Sequence, residues 1–341
     1  MKAAVARCYG PPDVIEIVSI GKPLPADDEV LVKVHAAALN PLDWHRVRGE
    51  PFLMRLDNGL GAPHEPRIGV DFAGTVEAVG KRVTRFKPGD EVFGGRTGAL
   101  AEYITVRETG AIVHNPANVS FAQAGSVAIA GVTALQGLRD RGHLESGQRV
   151  LINGASGGVG TYAIQIAKAL GAEVTAVCST RNVELVRSLG ADHVVDYKHE
   201  NFTERRDQYD LILDNVSSQS IAAMRRVMKP DGRLVIVGGT SREPWIGPLQ
   251  HAIATALHAP FASQEMGMFF ASMKKADLQT IADLMRDGKV TPVIDREYPL
   301  SDAAAALAYL EEGHARGKVV IKIAEADARA QRAIENMRME R

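Results

Sequence analysis

The stretch Gly154-Ala155-Ser156-Gly157-Gly158-Val159-Gly160 constrains this chain more than any other. It follows directly on the apolar run Val150-Leu151-Ile152-Asn153 and opens a segment, 158–170, that reads as a helix with Gly171 as its stop. A lone Gly-x-Gly-x-x-Gly match carries little, and an ordinary glycine-rich turn is its alternative. Here the motif has the context it requires: strand, tight glycine turn, helix. Ala155 replaces the first glycine, and Gly157 and Gly160 keep the other two. Such glycines let the backbone come close to a pyrophosphate, while the helix N-terminus offers unpaired N–H groups and partial positive charge.

The surroundings of this loop predict the fold. Strand patterns at 150–153, 173–178, 194–196, 209–214 and 233–237 alternate with helical patterns at 158–170, 183–189 and 218–228, which is the mark of a parallel, doubly wound sheet. The first third reads differently. Val30, Val32 and Val34 alternate with Leu31, Lys33 and His35, residues 69–80 form a strand bounded by glycines, and Lys87-Pro88-Gly89 turns into another. Short strands with many turns suggest a small, partly closed barrel. A length of 341 residues also exceeds what one core usually serves. Residues 241–275, with Trp245, Met266, Met268, Phe269 and Phe270, break the pattern and read equally as a substrate-side insertion or a subunit face. The charged, Ala-rich stretch 324–341 reads as an exposed helix or frayed tail without assigned function.

Charge and cysteine content exclude several classes. Lys plus Arg is 40 against 41 for Asp plus Glu, and no basic block stands out, which argues against a nucleic-acid partner. The two cysteines, Cys8 and Cys178, cannot make a disulfide framework. No apolar run is long enough for a bilayer, and no signal-peptide pattern opens the chain. These features together lead to an expectation of a cytoplasmic protein without membrane contact.

Cofactor choice is legible at the end of the second strand of the parallel set. An NAD site places a carboxylate there, roughly 20 residues beyond the glycines, for the ribose 2′-hydroxyl. This chain reads Cys178-Ser179-Thr180-Arg181, hydroxyls and a guanidinium that suit a 2′-phosphate, so NADPH is expected over NADH. The competing reading of Arg181 is a solvated surface charge.

Five stretches together resemble the medium-chain dehydrogenase/reductase superfamily, and within it the zinc-independent, zeta-crystallin-like quinone oxidoreductase branch. They are residues 35–43, 69–80, 87–94, 153–160 and 191–197, with 130–134 as a further match, and the likeness runs from Met1 to about Ile323. The resemblance implies an α/β protein: a GroES-like partly closed β-barrel catalytic domain, 1–122 with 292–341, and a Rossmann doubly wound parallel-sheet domain for NADPH, 123–291. It implies a homodimer, and hydride transfer to a quinone or α,β-unsaturated carbonyl. A 2-alkenal or enoyl-thioester reductase and a non-catalytic NADPH-binding protein are the alternatives.

Zinc-dependent relatives carry Cys and Gly-His-Glu where this chain has Asn40 and Gly69-Val70-Asp71, and two cysteines cannot supply a four-thiolate site, so no metal is expected. Without a Lewis acid, the protein's tasks reduce to aligning the cofactor, stabilising a developing oxyanion and supplying a proton. Asn40 reads as an amide donor to substrate or ribose, or as an Asx turn before Pro41. Asp43 reads as a cofactor contact or a helix cap. His45 reads as a proton relay or a surface side chain, and Arg48 as structural. The resemblance carries Thr133, Asn215, Gly238 and Gly239 to the nicotinamide half, Ser156, Gly157, Gly158 and Val159 to the pyrophosphate, Ser179, Arg181 and Tyr197 to the 2′-phosphate, and Lys318 to the cofactor.

Overall fold

The computed structural model describes residues 1–205, 208–238 and 263–323. Gly239, Trp245 and the tail 324–341 lie outside the described residues.

Two sheets carry the architecture. The strands β1 (Lys2–Ala6) and β2 (Ile15–Ser19) pair as an antiparallel ribbon. Beside it, β3 (Glu29–Leu39), β4 (Asp71–Val79), β5 (Glu91–Gly95), β6 (Tyr103–Arg107) and β7 (Ile112–His114) build the barrel sheet. This sheet takes its far edge from the other end of the chain, as β14 (Ile294–Pro299) and β15 (Lys318–Lys322), with Val319 opposite Leu39 and Ile321 opposite Ala37. The long strand β3 reaches so far because Val30, Val32, Val34, Ala37 and Leu39 all enter the barrel core.

The second sheet is formed by β8 (Arg149–Asn153), β9 (Glu173–Cys178), β10 (His193–Asp196), β11 (Tyr209–Asp214), β12 (Met228–Ile236) and β13 (Glu265–Met268), all paired in parallel. Numbered within the sheet, the order is 3-2-1-4-5-6, the Rossmann order, and the direction of winding reverses between β8 and β11. Ligands of such sheets bind outside the carboxyl ends of those two strands. Asn153 and Asp214 end them and pair in register.

Helices follow the expected places with shifted ends. The helix α1 (Pro41–Arg48) leaves β3, and α2 (Ala128–Gln136) precedes the parallel sheet. The helix α3 (Gly158–Ala169) ends before Gly171, whose φ is +85°. It buries Tyr162, Ile164 and Ile166 completely, on the order of 1.5–3 kcal/mol for each large side chain. The helix expected over 218–228 is shorter, α4 (Ile221–Arg226). Ser220 caps its start by accepting from Ala223 N, and Met228 is drawn into β12 opposite Tyr209, so the strand begins five residues before the expected Arg233. Farther on, α5 (Lys275–Arg286) packs on α2, and α6 (Ala303–Glu311) leads towards β15.

Candidate active site

The glycine loop divides its work among glycines. Gly154 has φ +74° and makes the turn out of β8. A Cβ on Gly160 would stand 2.3 Å from Gly154 O and 2.7 Å from Ala155 Cα, so α3 reaches the loop only through glycine. A Cβ on Gly157 meets nothing nearer than Gly154 O at 3.5 Å. Gly157 therefore leaves room beside the N-terminus of α3, of the kind a pyrophosphate needs. Ser156 and Val159 are half-buried beside it.

At the end of β9, Ser179 is half-buried and Arg181 is exposed, with one guanidinium nitrogen donating to His314 O at 2.8 Å. Tyr197 is exposed, with Lys198 Nζ 5.3 Å from its ring centre. The sequence reading missed two residues here. Asn182 is buried, and its Nδ2 donates to Ser156 Oγ at 2.9 Å and Ser179 Oγ at 3.2 Å. Asp196 sits opposite Cys178 in the adjacent strand. The Thr180 hydroxyl, with the Lys198 N–H, holds the Asp196 carboxyl below its ordinary range. Asn182 is one polar residue among several after β9, and Asp196 lies inside the matched stretch 191–197, where the resemblance assigns it no role.

At the switch point, Asn153 Nδ2 donates to Asp214 Oδ1 at 2.8 Å, and the same oxygen accepts from Val216 N and Ser217 N. Asn215 Nδ2 donates to Asn153 O at 2.9 Å, whereas Asn215 Oδ1 is buried without a partner. Ser217 Oγ donates to Gly238 O at 2.6 Å, and Thr133 is buried on α2. An orphaned acceptor beside an open glycine cradle fits a dinucleotide whose nicotinamide end carries an amide donor.

The chemistry-bearing residues of the barrel gather in one buried cluster. Lys318 Nζ donates to Asn40 Oδ1 at 2.5 Å and to Leu39 O at 3.2 Å, and lies 3.3 Å from Asp71 Oδ2. Asn40 Nδ2 donates to the same Asp71 oxygen at 3.1 Å and to Ala38 O at 3.5 Å. Asp71 Oδ1 accepts from Ile129 N on α2 at 2.9 Å. Burial pushes the Asp71 carboxyl upward, and Lys318 opposes that shift.

The Asn40 amide is engaged at both ends inside the protein, by Lys318 at Oδ1 and by Asp71 and Ala38 O at Nδ2. The Lys318 ammonium faces Asn40 and Asp71, and the stem of its side chain borders the glycine loop: a Cβ on Gly158 would stand 3.2 Å from Lys318 Cδ.

Asp43 is a cap in this structure: its Oδ2 accepts from Asn40 N at 2.7 Å and its Oδ1 from Gly69 N at 3.2 Å. Burial raises its pKa to about 6, the Asn40 N–H bond opposing and the nearby Asp71 carboxylate adding to the rise. A pocket among Arg46, Asn58, Glu65 and Arg67 reaches Asp43, and no residue of the glycine loop lines it.

His45 is half-buried and stacks on Trp44 with ring centres 3.6 Å apart. Its Nδ1 donates to Glu50 O at 2.7 Å, and burial lowers its pKa. The neutral ring therefore keeps its lone pair on Nε2. Arg48 pairs with Glu311 through two nitrogens and ties α1 to α6. Among the described residues no three His, Cys, Asp or Glu side chains group as metal ligands; His64 is exposed and Glu65 pairs with Arg67.

A six-stranded Rossmann sheet with an open glycine loop, joined to a barrel built from both chain ends, defines a nicotinamide-dependent oxidoreductase. Comparison with known proteins agrees. Residues 26–117 match the alcohol dehydrogenase GroES-like domain and residues 189–321 the zinc-binding dehydrogenase domain. The chain is 36% identical over 336 residues to 2-methylene-furan-3-one reductase of Solanum lycopersicum, covering 94% of this chain and 79% of that protein. It is 34% identical to a chloroplastic quinone-oxidoreductase of Triphysaria versicolor, covering 89% and 93%. The solved quinone oxidoreductase of Coxiella burnetii superimposes with a TM-score of 0.82 at 31% identity, covering 95% and 99%. The chain belongs to the medium-chain dehydrogenase/reductase superfamily, among its quinone oxidoreductases and alkenal reductases.

One expectation is overturned. Relatives are named chloroplastic, as in Triphysaria versicolor and Arabidopsis thaliana, and mitochondrial, as in Bos taurus, so a cytoplasmic location is not supported. Among the described residues no helix is long and apolar enough to cross a membrane.

Proposed function

We propose that the protein is a zinc-independent, NADPH-dependent reductase of quinones or α,β-unsaturated carbonyls. The observation that carries the metal-free reading is Lys318. Asn40 and Gly69-Val70-Asp71 stand where zinc-dependent relatives keep Cys and Gly-His-Glu, so Val70 takes the place of the histidine, and an ammonium already lies between Asn40 and Asp71. The NADPH reading rests on Ser179 and Arg181 at the end of β9, and one relative at 36% identity is named an NADPH-dependent alkenal/one oxidoreductase.

When bound, the reduced nicotinamide supplies the hydride. Gly157, Gly158, Ser156 and Val159 hold the pyrophosphate against the N-terminus of α3. Ser179, Arg181 and Tyr197 bind the 2′-phosphate, and Thr133, Asn215 and Gly238 border the nicotinamide. Lys318 and Asp71 fix Asn40 and the junction of β3 with α1, so the barrel wall facing the cofactor stays rigid. His45, neutral near pH 7, is an acceptor at Nε2 rather than an acid, so water protonates the reduced substrate carbon or oxygen.

We divide the chain into 1–122 with 292–341 and 123–291, which follows the pairing of β15 with β3. A homodimer is supported by β13, which ends the described parallel sheet, and by Phe270 just beyond it, 78% exposed.

The test is NADPH oxidation by chelator-treated protein with quinones, enals and enones as acceptors. Turnover undiminished by chelation is expected. Activity lost with chelation and restored by zinc would overturn the metal-free reading. Tight NADPH binding without turnover of any acceptor would replace the enzyme with a binding protein.

A further inference from the structure

Asn182 has no place in the reading above, yet it joins two parts of the cofactor site. It follows β9 through the turn Thr180–Asn182, its backbone N donating to Ser179 O at 2.8 Å. The residue is only 5% exposed. Its Nδ2 carries two hydrogens and meets two serine oxygens, Ser156 Oγ at 2.9 Å in the glycine loop and Ser179 Oγ at 3.2 Å at the strand end. Its Oδ1 is buried and has no partner. A buried acceptor left unpaired is costly, so the amide is held in this orientation by the serines alone.

We infer that Asn182 sets cofactor selectivity by making Ser179 a hydrogen-bond donor towards the 2′-phosphate, while it fixes Ser156 as a donor towards the pyrophosphate that both cofactors share. A serine hydroxyl has one hydrogen and two lone pairs. Once its oxygen accepts from Asn182 Nδ2, its hydrogen is directed away from the amide. A phosphate ester accepts hydrogen bonds at neutral pH, so two hydroxyls fixed as donors suit it. An aspartate at this position reverses the arrangement. Its carboxylate accepts from both hydroxyls, turns their hydrogens inward and adds a negative charge beside the anion. Asn182 is thus a positioning residue acting through Ser156 and Ser179. The inference rests on the NADPH reading of the site.

The experiment is a fluorescence titration of the full chain with NADPH and, separately, NADH. Asn182→Asp is expected to weaken NADPH on the order of 10- to 100-fold, the worth of one or two charge-assisted hydrogen bonds, and NADH several-fold less, because NADH shares only the pyrophosphate contact of Ser156. Asn182→Ala, which carries the test if the aspartate variant does not fold, is expected to weaken NADPH by about tenfold. That loss should shrink on a Ser156→Ala/Ser179→Ala background, because the hydroxyls it orients are gone. Equal losses for the two cofactors, or an undiminished loss on the double-alanine background, would overturn the role of Asn182 while the wild-type preference for NADPH stands. A wild-type protein that binds both cofactors equally would instead overturn the NADPH reading and the inference with it.

Discussion

Lys318 Nζ lies 3.3 Å from Asp71 Oδ2, and both side chains are closed off from solvent, at 3% and 0% exposure. Burying two charges is repaid only by tight pairing and further hydrogen bonds, which here come from Asn40, Leu39 O and Ile129 N. Removing one partner should therefore cost far more than removing both. We expect Lys318→Met and Asp71→Asn each to destabilise by about 3–5 kcal/mol and the double variant to recover much of that loss. Urea midpoints of the four proteins measure it, and additive losses would refute a coupled pair.

The raised pKa of Asp43 makes a signed pH prediction. Its folded value is about 6 against an ordinary 3.8, so between these values the folded chain holds the proton more tightly than the unfolded one. The contribution is full below about pH 4 and is lost as pH rises through 6. Relative to Asp43→Asn, wild-type stability should fall by up to about 3 kcal/mol between pH 4 and pH 7. Denaturation of both proteins across this range checks it, and parallel curves would count against a perturbed Asp43.

Gly157 and Gly160 should respond oppositely to alanine. Gly160→Ala forces a Cβ to 2.3 Å from a backbone oxygen, so we expect a loss of stability of a few kcal/mol. Gly157→Ala meets open space, so its melting temperature should stay near wild type while NADPH binding falls by about tenfold or more. Thermal melts and titrations on the same preparations separate the two.

Arg181→Ala should weaken NADPH by about tenfold and leave NADH nearly unchanged, as expected for a partly exposed contact between guanidinium and phosphate. Titration with each cofactor decides. Equal losses would return Arg181 to its structural contact with His314 O.

Much of the parallel sheet was legible because its signals are local. The apolar runs at β8, β9 and β11 lie between glycines and polar turns, and their bounds in sequence and structure agree to within a residue. The helix at α4 was read too long because Val227 and Met228 continue an apolar pattern that the strand partner Tyr209 captures instead. The buried cluster was beyond sequence reasoning. Asp71 is 31 residues from Asn40 and 247 from Lys318, and nothing local distinguishes Lys318 from Lys322 at the other end of the same strand as the counter-ion of a distant carboxylate. Asn182 hid for the opposite reason, as one polar residue among several in an ordinary strand-to-helix turn.

The pairing of β15 with β3 also sets an order of assembly. Every strand of the parallel sheet precedes Lys318 in the chain, whereas Asn40 lies 278 residues before it. On the ribosome, the later-coded sheet completes its strands while the earlier-coded barrel still lacks its edge and its internal cation. Until β15 emerges, Asp71 has no ammonium beside it and β3 keeps an open side. The earlier-synthesised of the two sheets is thus the later to close, and that closure waits on a contact of long sequence separation, the slow kind in folding.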